Sequence, residues 1–134
     1  MISLRVLDFT FVKFLVVGVA NTAVGLSVIF LGKWVVGLGD VAANVAGYAV
    51  GLAVSFLLNR QWTFGFTGHA LHALLRFLLV FAVAYAGNLL TVLLLIRGLG
   101  INSYLAQTLG IVPYTLLFYA GSRWYAFAES RTAR

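Results

Sequence analysis

The sequence predicts an all-α integral membrane protein of four transmembrane helices, arranged as two parallel two-helix repeats about a pseudo-two-fold axis along the membrane normal. Three observations predict it. The chain of 134 residues is 63% hydrophobic and 9% charged, with a mean hydropathy of +1.04, which leaves too few polar groups to coat a water-soluble globule. Four continuous apolar runs, at about residues 11–31, 41–58, 75–96 and 104–120, are long enough for a hydrocarbon core of about 30 Å, which takes roughly 20 helical residues. The ends of these runs also recur at an offset of 63 residues: Arg60 falls on Arg123, Trp62 on Tyr125, Phe64 on Phe127 and Lys13 on Arg76.

The first run follows Arg5, and Gly18 to Ala20 imitates the small-residue cleavage site of a secretory signal. Hydrophobicity continues to Leu31, so the run reads as an uncleaved span. The second run contains Gly47 and Gly51, a GxxxG spacing that lets helices approach closely. It ends abruptly at Asn59 and Arg60. The third run starts near Arg76 and the fourth carries Pro113, which removes one backbone hydrogen bond and should kink the helix. Helices are required because the runs are continuous rather than alternating, and backbone groups in lipid must bond within their own segment.

Short connections at residues 32–40, 59–74 and 97–103 put both termini and the middle loop on one side. Arg5, Lys13, Arg60, Arg76, Arg123, Arg131 and Arg134 then share a compartment against Lys33 and Arg97, and seven against two predicts cytoplasmic termini in the inner membrane. Each half enters from that side, so the repeats, about 11–66 and 74–129 within one membrane domain spanning 1–134, are parallel rather than inverted. Matches of Leu, Val, Ala and Gly come easily in this composition. The matched cations carry the repeat.

A net charge of +6 in such a chain points to basic clusters at a membrane surface and to anionic lipid as partner, not to nucleic acid. With no cysteine there is no disulfide or thiolate chemistry. The acids Asp8, Asp40 and Glu129 lie near the ends of runs, which disfavours a proton-coupled exporter of small solutes, since that needs a carboxylate inside the bundle. His69 and His72 are spaced i, i+3 but lack a third ligand for a metal and read as solvated loop residues. No cofactor and no enzyme signature is evident.

The candidate site is a ring of cations, one at the cytoplasmic end of each span: Lys13, Arg60, Arg76 and Arg123. Arginine can hold a phosphate through two parallel hydrogen bonds, which lysine cannot, so Arg60 and Arg123 are candidates to clamp one phosphate between them. Asn21, Asn59 and Asn88 are amides able to hydrogen-bond sugar hydroxyls, and Trp62 is a candidate sugar platform. Trp62, Phe64, Trp124, Tyr125 and Phe127 also suit an aromatic belt at headgroup depth.

These residues carry a resemblance. Phe11, Lys13, Gly18, Asn21 and Thr22, then Phe56, Asn59, Arg60, Trp62 and Phe64, then Arg76 and Asn88, and finally Ser122, Arg123 and Phe127 make the chain resemble the GtrA-like family of small four-span membrane proteins. The resemblance covers nearly the whole chain. It implies a role in cell-envelope polysaccharide synthesis, flipping a polyprenyl-phosphate-linked monosaccharide from the cytoplasmic to the outer leaflet. Ser122 and Tyr125 depart from the Asn and Trp of the first motif, so equal roles for the halves do not follow. A non-transporting scaffold that recruits a membrane glycosyltransferase is the alternative. Four helices leave little room to shield a phosphosugar, so a homodimer is expected.

Overall fold

The computed structural model describes residues 9–128. Arg5, Arg131 and Arg134, which enter the orientation argument, and the acids Asp8 and Glu129 lie outside them. Among the described residues there are four helices, each running into a five-residue tail of wider, π-helical turns: α1 (Phe9–Leu31, tail Gly32–Val36), α2 (Asp40–Leu58, tail Asn59–Thr63), α3 (Ala70–Leu93, tail Leu94–Gly98) and α4 (Ser103–Gly121, tail Ser122–Ala126). The chain is an all-helical membrane protein. With their tails, α1, α2 and α3 are long and apolar enough to cross a membrane. The expected fourth span differs, because Gln107, Thr108, Pro113, Tyr114 and Thr115 make α4 less apolar.

The chain divides into two compact units that part between Gly65 and Phe66. In the first, α1 and α2 form a hairpin. Gly37 turns the chain between them at φ +85°, a left-handed conformation open to glycine at no steric cost. Leu38 N–H closes the turn on the Gly32 carbonyl at 2.8 Å, and Lys33 pairs with Asp40 at 2.6 Å, where the carboxylate also meets the positive end of α2. The helices then cross on glycine. A Cβ at Gly47 would stand 2.8 Å from the Gly25 carbonyl oxygen and 2.5 Å from Ile29 Cγ1, and one at Gly51 would stand 3.3 Å from the Asn21 carbonyl oxygen. The GxxxG pattern is therefore the seam of this hairpin. Gly47→Ala should destabilise it by about 1–3 kcal/mol through overpacking, measured by denaturant titration in micelles. Gly18→Ala is the control, because a Cβ there meets nothing within 4 Å.

The second unit is also a hairpin, of α3 and α4. Its turn glycine, Gly100, has φ +67°, and Ile101 N–H bonds the Leu95 carbonyl at 3.0 Å. His69 caps α3, its Nδ1 accepting from His72 N–H at 3.4 Å, and Asn102 caps α4, accepting from Leu105 N–H at 2.9 Å. The expectation that His69 and His72 sit in a loop is thus corrected: the cap extends α3 back to Ala70, which places His72 in its first turn. Packing here is aromatic. Phe118 lies 5.1 Å from Phe77, 5.9 Å from Phe81 and 5.6 Å from Tyr114 between ring centroids. In the first unit the positions 63 residues before Phe118 and Tyr114 are Ser55 and Gly51.

Several features of the first unit recur in the second at that offset. The bounds of α2 and α4 and of their tails correspond residue for residue. Phe64 and Phe127 each donate a backbone bond at 2.9 Å, to Asn59 and Ser122 respectively. The ring pair Phe14 and Phe64, at 6.5 Å, has its counterpart in Phe77 and Phe127, at 5.9 Å. Ala43 and Ala106 are both sealed in their helix seams. The outer faces of all four helices carry exposed Val, Leu, Ile and Phe, the surface a lipid phase requires.

Candidate functional site

The tails set the site. A helix that widens over its last five residues carries Arg60 and Arg123 on helical backbone instead of in a loop, at the carbonyl end of the helix dipole where a cation is favoured. The tail of α2 also turns Trp62 back toward α1. Lys13 Nζ lies 5.4 Å from the centre of the Trp62 ring and 5.2 Å from that of Phe9. In the second unit Arg76 Cζ lies 5.1 Å from the centre of the Tyr125 ring. Lys13 and Arg76 are offset by 63 residues, and so are Trp62 and Tyr125. Each hairpin thus brings a cation from its first helix onto an aromatic ring from its second, an attraction of about 0.5–1 kcal/mol at exposed sites.

The two tail arginines are unequal. Arg123 is 6% exposed, its Nη1 donates to the Tyr119 hydroxyl, and its guanidinium lies 5.1 Å from the Trp124 ring. The 5.8 Å from Arg123 to the Tyr119 ring centre follows from that hydroxyl contact at the ring's rim. At the corresponding first-unit positions stand Phe56 and Gln61, which supply neither a hydroxyl nor an indole, and Arg60 is half-buried. Sequence reasoning put Arg60 and Arg123 in one role and missed Tyr119, although its i, i+4 spacing from Arg123 on a helix was a usable signal.

Asn59 is sealed from solvent, and its Nδ2 donates to Ser55 Oγ at 3.1 Å. Asn21 and Asn88 are not brought to the cation ends. Counting about 1.5 Å per residue, Asn21 lies about 12 Å along α1 from Lys13 and Asn88 about 18 Å along α3 from Arg76. Both belong to helix seams: the Asn21 carbonyl faces Gly51, and Asn88 Oδ1 lies where a Cβ on Gly110 would come within 2.4 Å. The belt is also smaller than expected. Phe127 is sealed between Phe66 and Phe77, Phe64 packs on Phe14, and Trp124 is half-buried beside Tyr119. Trp62 and Tyr125 remain exposed, at 46% and 44%. Among the described residues no three His, Cys, Asp or Glu side chains gather at one place.

Comparison with known proteins covers this whole arrangement. Residues 13–127 match the family described as GtrA/DPMS, transmembrane domain, a stretch that begins at Lys13 and ends at Phe127. The chain is also 26% identical over 119 residues to the uncharacterized membrane protein YngA of Bacillus subtilis (strain 168), across 88% of this chain and 79% of that one.

Proposed function

The chain belongs to the GtrA/DPMS transmembrane-domain family, and from that premise we propose that it carries a polyprenyl-phosphate-linked monosaccharide from the cytoplasmic to the outer leaflet, for glycosylation of cell-envelope polysaccharide. The observation that carries the reading is the recurring pair of a cation on an aromatic ring, Lys13 with Trp62 and Arg76 with Tyr125, each ring two residues after a tail arginine. A cation set against an aromatic ring at the end of an apolar hairpin suits a ligand with three parts. The polyprenyl tail stays in the bilayer, the phosphate meets the cations, and the sugar meets the ring and the amides.

The chain need only lower the barrier to moving a polar headgroup through hydrocarbon, with no bond made or broken. An inside-negative potential drives a monoanion outward by about 2.3 kcal/mol for each 100 mV, and consumption of the sugar outside removes product. In this reading the cation ends face the cytoplasm and the halves are parallel repeats. Reporter fusions that read a periplasmic C-terminus would remove that orientation. Recognition is tested by equilibrium binding to the purified protein in nanodiscs: a polyprenyl-phosphate sugar should bind at least about tenfold tighter than the uncharged polyprenol, as expected for a charge-assisted contact. Equal binding of the two would defeat the reading.

A further inference from the structure

One face of α2 and its tail is polar where the fold has no need of it. Ser55, Asn59 and Thr63 follow at i, i+4 and i+8, and all three are buried, at 2%, 0% and 6% exposure. Asn59 Nδ2 is used on Ser55 Oγ, but Asn59 Oδ1 and Thr63 Oγ1 are buried with no hydrogen-bond partner among the described residues. Four other hydroxyl side chains in these helices close on their own backbone: Thr22 on Gly18, Ser27 on Ala23, Thr91 on Gly87 and Thr108 on Tyr104, at 2.8–2.9 Å. For Thr63 the corresponding acceptor is the Asn59 carbonyl, which already receives the Phe64 N–H at 2.9 Å. Buried polar atoms are rarely left unmet, and least of all in a chain surrounded by lipid.

The second unit shows that hairpin packing does not require this stripe. At the three corresponding positions stand Phe118, Ser122 and Ala126, all buried. The Ser122 hydroxyl is likewise buried without a hydrogen-bond partner among the described residues, but it stands alone between two apolar side chains, and Phe118 packs against rings where Ser55 stands in the first unit. A polar stripe that the same hairpin can do without, beside Arg60 and one residue from Trp62, reads as a binding feature.

We propose that Asn59 Oδ1 and Thr63 Oγ1, with Ser55 fixing the Asn59 amide, form a hydroxyl-binding subsite confined to the first hairpin, and that its ligand is a hydroxyl of the sugar on the carried lipid. This rests on the translocation reading above. The chemistry fits a hydroxyl: its O–H donates to the amide oxygen, and its lone pair accepts from Thr63. A phosphate is excluded from the Asn59 oxygen, since both groups only accept. Because the two atoms are sealed here, occupation requires the tail to shift, and the tail is held to α1 by the contacts of Phe64 with Phe14 and of Trp62 with Lys13. Sugar recognition is thereby coupled to movement of that tail.

The test compares binding of bare polyprenyl phosphate with its glucosyl, galactosyl and mannosyl forms, using full-length protein in nanodiscs. Wild type should prefer at least one sugar-bearing lipid by about tenfold, the size of one or two buried hydrogen bonds. Thr63→Val, which keeps the shape, and Asn59→Leu should cut that preference to within about twofold and leave affinity for bare polyprenyl phosphate unchanged. Thr63→Ser should restore it, and Ser122→Ala in the second unit should not disturb it. Should either hairpin variant fold poorly, the ratio of the two affinities in the folded fraction still reads the effect. An unchanged preference in Thr63→Val and Asn59→Leu overturns the subsite, as does an equal fall for bare and sugar-bearing lipid, which would leave a buried water as the occupant. Wild type that binds all four lipids equally overturns the subsite alone, whereas wild type that binds none of them overturns the translocation reading itself.

Discussion

Replacing Arg60 by lysine will weaken binding of a polyprenyl-phosphate sugar by roughly five-fold to 150-fold, on the order of 1–3 kcal/mol, and leave folding and insertion unchanged. Lysine keeps the charge and reaches the same headgroup depth, so a residue that only orients the chain would tolerate the exchange. What lysine lacks is the planar fork that meets two phosphate oxygens at once. The positions that hold its counterpart Arg123 are Phe56 and Gln61 in this half, so the tyrosine hydroxyl and the indole that Arg123 uses have no equivalent there. Binding by wild-type and Arg60→Lys protein at equal membrane abundance checks it. An unchanged affinity would return Arg60 to topology and snorkelling.

The same exchange at Arg123 will act on the fold. Arg123 is buried, donates to the Tyr119 hydroxyl and lies against Trp124, so Arg123→Lys gives up the guanidinium's planar contact with the indole and its bond to the phenol. A hydrogen bond to a charged group contributes about 1.5–3 kcal/mol, and a loss of that order is expected by denaturant titration in micelles. Tyr119→Phe removes the other partner. If the two residues act as one unit, the double variant loses clearly less than the sum of the singles. Additive losses would mean that the Tyr119 contact contributes nothing of its own. The division of labour expected between the halves is then visible in one experiment: the first-unit arginine changes affinity, the second-unit arginine changes stability.

Much of the fold was legible because lipid makes few demands on a sequence and each is strong. Continuous hydrophobicity located the helices, Gly47 and Gly51 located the seam of the first hairpin, and the 63-residue offset anticipated corresponding ends for α2 and α4. Helix ends were less legible. Runs of hydrophobicity end where apolar residues end, but Asn59 to Thr63 and Ser122 to Ala126 continue as wider turns, and backbone bonding there is indifferent to side-chain polarity. The start of α3 was misplaced because a histidine cap is an uncommon signal, Ser, Thr, Asp and Asn being the usual ones. At the site, charge was legible and partnership was not. Lys13 and Arg76 were found from their charge and their matched places at the ends of apolar runs, yet their rings, Trp62 and Tyr125, come from the other helix of each hairpin and are fixed by its crossing. Asn21 and Asn88 show the converse. An amide in an apolar run stands out in a sequence, but both lie along the helix seams, away from the cations.

The measurement that tests translocation most directly is transbilayer movement itself. Purified protein is reconstituted into liposomes carrying a labelled polyprenyl-phosphate sugar, and the fraction of label open to a membrane-impermeant reagent is followed with time. Translocation predicts that this fraction rises from about the outer-leaflet half toward completion, only in vesicles that contain protein, and more slowly with Arg60→Lys. Protein that binds the lipid while the exposed fraction stays at its protein-free value would contradict the account and leave a scaffold for a glycosyltransferase in its place.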